Sequence, residues 1–143
     1  HYVGAVKYDV RERANSGWLL DDGVLLWSRL CSSLQKTKLV TVSCSNWVGF
    51  GKYRVLSPRF VHSFAAAFVE SVGYQYLGSF SVAAGDESRT FFETFYSELC
   101  KGTAVARAVR FARRAVADGW GRNSLSWAGY VLYGAPFQQC LVA

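Results

Sequence analysis

Methionine is absent from this chain, and 143 residues hold only two histidines and two prolines. The missing methionine, with histidine at position 1, is expected of a fragment or a processed product. So few prolines leave long helices and strands uninterrupted. No apolar stretch approaches the ~20 residues of a membrane helix and no signal peptide is legible, so no membrane partner is expected. Four cysteines (Cys31, Cys44, Cys100 and Cys140) lie far apart among aliphatic neighbours, with no CxxC pair. That spacing excludes a disulfide scaffold and a zinc cluster. Reduced thiols in a cytoplasmic protein without metal or cofactor are expected.

Apolar residues make up 51% of the chain and charged ones 18%, with ten Phe, eight Tyr and five Trp. Such a chain can bury a core, which excludes disorder and bounds it to one domain or a large piece of one. The net charge of +6 favours acidic partners, nucleic acid included. The positive charge is scattered, except on one helix near the C-terminus.

Residues 1–17 are polar and mixed, and Arg11 to Gly17 read as an exposed loop. Trp18-Leu19-Leu20 and Val24-Leu25-Leu26 flank the turn signal Asp21-Asp22-Gly23, which predicts two short paired segments. Leu26 to Leu34 has helical spacing. Leu39 to Cys44 reads as a buried parallel strand. Helices are predicted over 58–72, 87–101 and 103–118. Gly73 stops the first, Gly102 divides the other two, and Thr103 is the expected N-cap of the last. Strands are predicted over 74–82 and 125–133. The alternation predicts an α/β fold, a mostly parallel sheet flanked by helices.

A thiol at the carboxyl end of a parallel strand stands where open α/β sheets build their sites, which marks Cys44 as a candidate nucleophile. Cysteine is also a common buried hydrophobe, and that reading of Cys44 stands beside the first. His1 and His62 are the only imidazoles available to pair with it. His62 falls on the 58–72 helix, beside its apolar stripe, and reads as a surface or packing residue.

The segment Phe95-Tyr96, Leu99, Gly102, Val105, Ala108, Ala112-Arg113, followed by Trp127-Ala128-Gly129-Tyr130-Val131-Leu132-Tyr133-Gly134-Ala135-Pro136, resembles the end of the CHAT domain. Leu39 to Cys44 is similar to that family's nucleophile-bearing strand. Gly78 to Val82 with Asp86 is similar to its next strand and loop. Ser16 to Leu20 with Asp22-Gly23 is similar to its hairpin. The likeness runs through nearly the whole chain.

CHAT domains are similar to caspases and separases, so the resemblance implies a caspase-like cysteine endopeptidase acting on a protein substrate. Cys44 would be the nucleophile of an acyl transfer and His1 the base, facing each other at the carboxyl ends of adjacent strands. The family's glycine after that histidine is Tyr2 here, whose amide would help hold the oxyanion. Its tryptophan is Ser81, which reshapes the pocket. Asp86 either lines that pocket for a basic side chain or caps its helix. The resemblance makes residues 1–143 the C-terminal catalytic part of one such domain, its sheet incomplete at the N-terminus. The resemblance also implies a regulatory partner, a fused TPR or sensing module or an RNA-guided complex of the CRISPR type, in bacterial antiviral defence. Two alternatives stand. Tyr2 and Ser81 fit an inactive binding module of the same fold. Arg107, Arg110, Arg113 and Arg114 make either a solvated helix face or a contact for nucleic acid or an acidic partner.

Overall fold

Three central strands run parallel, and everything else is arranged around them. The computed structural model describes residues 1–7, 9, 12–34, 37–48, 65–66, 68–70, 75–79, 85–121 and 125–137. The side chains of Arg13, of residues 44–48 and of Leu125, together with His62, Ser81 and Cys140, lie outside that set. The strands are β1 (Tyr2–Lys7), β2 (Gly17–Leu20), β3 (Gly23–Leu26), β4 (Leu39–Val48), β5 (Gln75–Ser79) and β6 (Tyr130–Tyr133). They form one sheet in the order β3-β2-β1-β4-β5-β6. β1, β4 and β5 are parallel, while the β2–β3 hairpin and β6 join antiparallel. The helices described end to end are α1 (Trp27–Ser33), α2 (Gly85–Cys100) and α3 (Val105–Trp120). Among the described residues no helix is long and apolar enough to cross a membrane.

Alternation along the strands sends side chains to two cores. Val40 and Val42 of β4 join Val6, Tyr76, Ala65 and Phe68 on one face, with Trp27, Cys31 and Leu34 packed against them. On the other face Leu77 and Tyr130 meet Phe91, Phe92, Phe95 and Leu99 of α2 and the Val105, Ala108, Val109, Ala112 and Val116 stripe of α3. That stripe is the 3.6-residue pattern the sequence predicts. Asp86 and Glu87 in the first turn of α2 favour the positive end of its dipole. Gly102, at φ 79°, ends the helix. The Thr103 amide donates back to Glu98 (3.1 Å) and that of Gly102 to Leu99 (2.9 Å), a Schellman closure.

Four expectations need correction. Residues 1–17 are not uniformly polar or loop: Tyr2–Lys7, which carries Tyr2, Val3, Ala5 and Val6 around Gly4, is the strand next to β4, and at the end of the expected loop Ser16 is buried and Gly17 begins β2. Leu125–Ala128 is a 3-10 helix, and the last strand begins at Tyr130. Thr103 does not cap α3. Ala104 holds that position, and the Thr103 hydroxyl donates to Glu98 (3.1 Å) instead. β4 continues four residues past Cys44, which is therefore inside a strand and not at its tip. The predicted hairpin closes on Asp21-Asp22, with Leu20 paired to Gly23. Residues 65, 66 and 68–70 are helical within the predicted 58–72 helix, whose remainder lies outside the described residues.

Candidate functional site

Strand pairing sets the levels of His1, Tyr2 and Cys44. β1 and β4 are neighbours and parallel, as the pairing of His1 with Cys44 requires, but Tyr2 is level with Val42 and Cys44 with Gly4. His1 therefore lies three residues upstream of Cys44, roughly 10 Å along the strand direction. Between Gly4 and Ala5 the register shifts, and the partner jumps from Cys44 to Asn46. Ser45 is thus the extra residue of a bulge immediately after Cys44, the kind of irregularity that re-aims backbone beside a site.

His1 is engaged elsewhere. Its ring packs edge-on against Phe92, with centroids 4.3 Å apart, and its Nδ1 shares a 2.6 Å hydrogen bond with the Tyr96 hydroxyl. That hydroxyl also shares a 2.6 Å bond with Thr41 Oγ1. Next along β4, Ser43 and Ser88 hydroxyls meet at 3.3 Å, and Tyr130 donates to Ser88 at 2.8 Å. A polar seam from His1 through Tyr96, Thr41, Ser43, Ser88 and Tyr130 therefore runs between the sheet and α2. Sequence reasoning misses this seam. Its one signal is the alternation inside Val40-Thr41-Val42-Ser43, where every second residue carries a hydroxyl.

Tyr2 points to the opposite face. Its ring stacks on Trp18, with centroids 4.4 Å apart and planes 6° apart. Its hydroxyl reaches the carbonyls of Ala5 (2.6 Å) and Leu19 (2.8 Å). Asp86 is exposed in the first turn of α2, two residues before Ser88. Through the Ser88–Ser43 contact that helix end lies over the residue preceding Cys44. The roles expected of Ser81 and His62 fall on residues outside the described set. Cys31 is half-buried and Cys100 exposed, and neither is in a disulfide. Arg113, grouped by sequence with a solvated face, instead turns inward and donates through Nη2 to the Tyr130 carbonyl.

Burial raises the Tyr96 phenol above its ordinary range, partly offset by the Thr41 hydrogen bond. Burial likewise raises Tyr130, against the opposing hydrogen bonds of Ser88 and Ser43. Both groups hold their protons more tightly folded than unfolded, so above the ordinary phenol range the folded state binds more protons. The stability this confers is complete below about pH 10 and lost as pH rises through the folded-state values. Thermal melting followed by circular dichroism should show the midpoint falling above about pH 10. The double variant Tyr96→Phe/Tyr130→Phe should fall less steeply there; an unchanged alkaline slope would contradict this account.

A mixed sheet with a parallel centre and helices on both faces defines an α/β protein, with a thiol residue on a central strand. Within that class the chain belongs to the CHAT domain family, whose model matches residues 1–135. That family is related to caspase-like cysteine peptidases. No curated protein and no solved structure matches the chain significantly.

Proposed function

We propose that this chain is a caspase-like, protein-binding CHAT module in which His1 and Cys44 do not pair as a catalytic dyad. The observation carrying this reading is the three-residue register offset of His1 from Cys44. Correcting it needs β1 to slip by three residues. An odd slip reverses every side chain of a strand, sending Val6 out of its core and Val3 into it. Val6 is fully buried whereas Val3 is 69% exposed, so the present register is strongly specified. Level with Cys44 and just beyond it, β1 offers Gly4 and Ala5, neither of which can move a proton.

A second reading has its own support. The bulge after Cys44 and membership of a peptidase-related family favour a cysteine endopeptidase with Cys44 as nucleophile. In that reading the thiolate attacks the scissile carbonyl, an imidazole protonates the leaving amine, and backbone N–H groups hold the oxyanion. Tyr2, Ser81 and Asp86 would then shape the substrate site, and a partner, in a defence assembly, would switch the enzyme on.

One experiment separates the two. The chain is incubated with a fluorescent peptidyl electrophile and a peptide library, beside Cys44→Ala and His1→Ala. The binding-module reading expects no turnover and labelling of Cys44 no faster than of Cys100. Turnover that disappears in Cys44→Ala rejects it, and further loss in His1→Ala establishes His1 as the base.

A further inference from the structure

The outer face of α3 carries Arg107, Arg110 and Arg114 against one aspartate, Asp118, while Arg113 turns inward beside them. It borders two clefts. The first, about 620 Å³, is floored by Ala106, Val109 and the Trp127 ring and edged by Arg110, Arg113 and Arg114. The second, about 520 Å³, adds Arg107, Pro136 and Phe137. Both are lined by Ala106 and Arg110, so they adjoin along the helix. A hydrogen bond from the Ala106 amide to the Pro136 carbonyl (3.2 Å) holds the far wall against α3.

Three features define what fits there. The floor is apolar, and three large apolar side chains stand out around the helix: Phe137 is 87% exposed, Trp120 44% and Phe111 39%. Of these Phe137 lines the second cleft, and an exposed ring continuous with an apolar floor marks an interaction site. The rim is cationic, and the guanidiniums of Arg107, Arg110 and Arg114 are in water, where they can take carboxylates bidentately. Asp118 holds Arg114 only loosely, at 3.6 Å between exposed groups. The donors are also in excess. Arg113 Nε and Trp127 Nε1 are both buried without an acceptor among the described residues, although both side chains line the first cleft. Donors left in this way favour an incoming acceptor oxygen.

We infer that this groove docks an acidic amphipathic segment of a partner protein, with its apolar stripe on Val109, Trp127 and Phe137 and its carboxylates on Arg110 and Arg114. An apolar stripe needs an apolar floor, and helix-in-groove recognition reads such anchors at helical spacing. A nucleic-acid backbone would use the arginines but leave the floor uncovered. The inference deepens the binding-module reading by naming the partner's chemistry, and it does not require Cys44 to be inert.

The test uses fluorescence anisotropy with three probes. One is a glutamate-leucine peptide with its leucines in one helical stripe, the second has the same composition with leucines dispersed, and the third is a single-stranded oligonucleotide. The striped peptide should bind saturably and about tenfold more tightly than the dispersed one. Charge reversal in Arg110→Glu/Arg114→Glu should weaken it about tenfold further, and more at low salt than at high. Both sites are exposed, and a melting curve checks the fold; Arg110→Gln/Arg114→Gln replaces the reversal if that variant unfolds. Absence of saturable binding, equal binding of the two peptides, or indifference to both arginine variants overturns the inference. So does an oligonucleotide that binds more tightly and displaces the striped peptide, which makes the face a nucleic-acid contact. Cleavage activity is measured separately, so failure here leaves the question of catalysis where the electrophile experiment puts it.

Discussion

Phe91→Ala is expected to lower stability by about 3–5 kcal/mol. Phe91 is wholly buried. Its ring stacks on Tyr130 at 3.9 Å, meets Phe92 edge-on at 5.3 Å and lies parallel to Phe95 at 6.2 Å. Removing it opens a cavity where α2 crosses β6, and it strips Tyr130 of the neighbour that orients its hydroxyl toward Ser88. Domains hold only about 5–15 kcal/mol in total, so the loss takes a large share of that margin. Urea unfolding monitored by tryptophan fluorescence measures it. Phe137→Ala, truncating an exposed ring, should stay within about 0.5 kcal/mol. Equal losses at the two positions would mean that the aromatic cluster is not the core of this face.

Gly17→Ala should cost about 1–3 kcal/mol, and Gly119→Ala should change stability in the opposite direction. Gly17 pairs with Lys7 on one side and Leu26 on the other. A Cβ there would run into the Leu25 carbonyl oxygen and stand 2.8 Å from its carbon and 3.0 Å from Leu26 Cα. All of those atoms are backbone inside the ladder, so none can yield without breaking pairs. Gly119, in the last turn of α3, has nothing within 4 Å of its would-be Cβ. Alanine there should stabilise by roughly 0.5–1 kcal/mol through its better helix propensity. Melting temperatures of the two variants decide the matter by sign, which measurement error does not easily reverse.

Much of the architecture is legible from local signals. The Phe91–Leu99 and Val105–Val116 stripes predict α2 and α3, because helical spacing of large apolar residues survives any tertiary context that buries them. Asp21-Asp22-Gly23 predicts the hairpin for the same local reason. Leu125 to Tyr133 misleads, because a short apolar run does not distinguish a strand from a tight helical turn; packing of Trp127 against the α2–α3 core accompanies the latter. Tyr2–Lys7 escapes a local reading because its strand character comes from β4, dozens of residues away. The seam of Tyr96, Thr41, Ser43, Ser88 and Tyr130 has the same origin, since hydroxyls distant in sequence meet only when α2 lies across the sheet.

The candidate site shows where sequence reading ends. Residue types and their order along the chain determined the CHAT membership, the two-faced α/β sheet and the presence of a thiol on its central strand. These rest on hydrophobic period, turn chemistry and motif, all carried by neighbours. Whether His1 stands opposite Cys44 was decided by tertiary structure alone, because register is a property of two strands and one bulge. Tertiary structure also turned Arg113 inward to Tyr130 and left Arg107, Arg110 and Arg114 around an apolar floor. A helix's charge is written in its sequence, but the groove beside it exists only once the segment through Trp127 and Pro136 has folded back against α3.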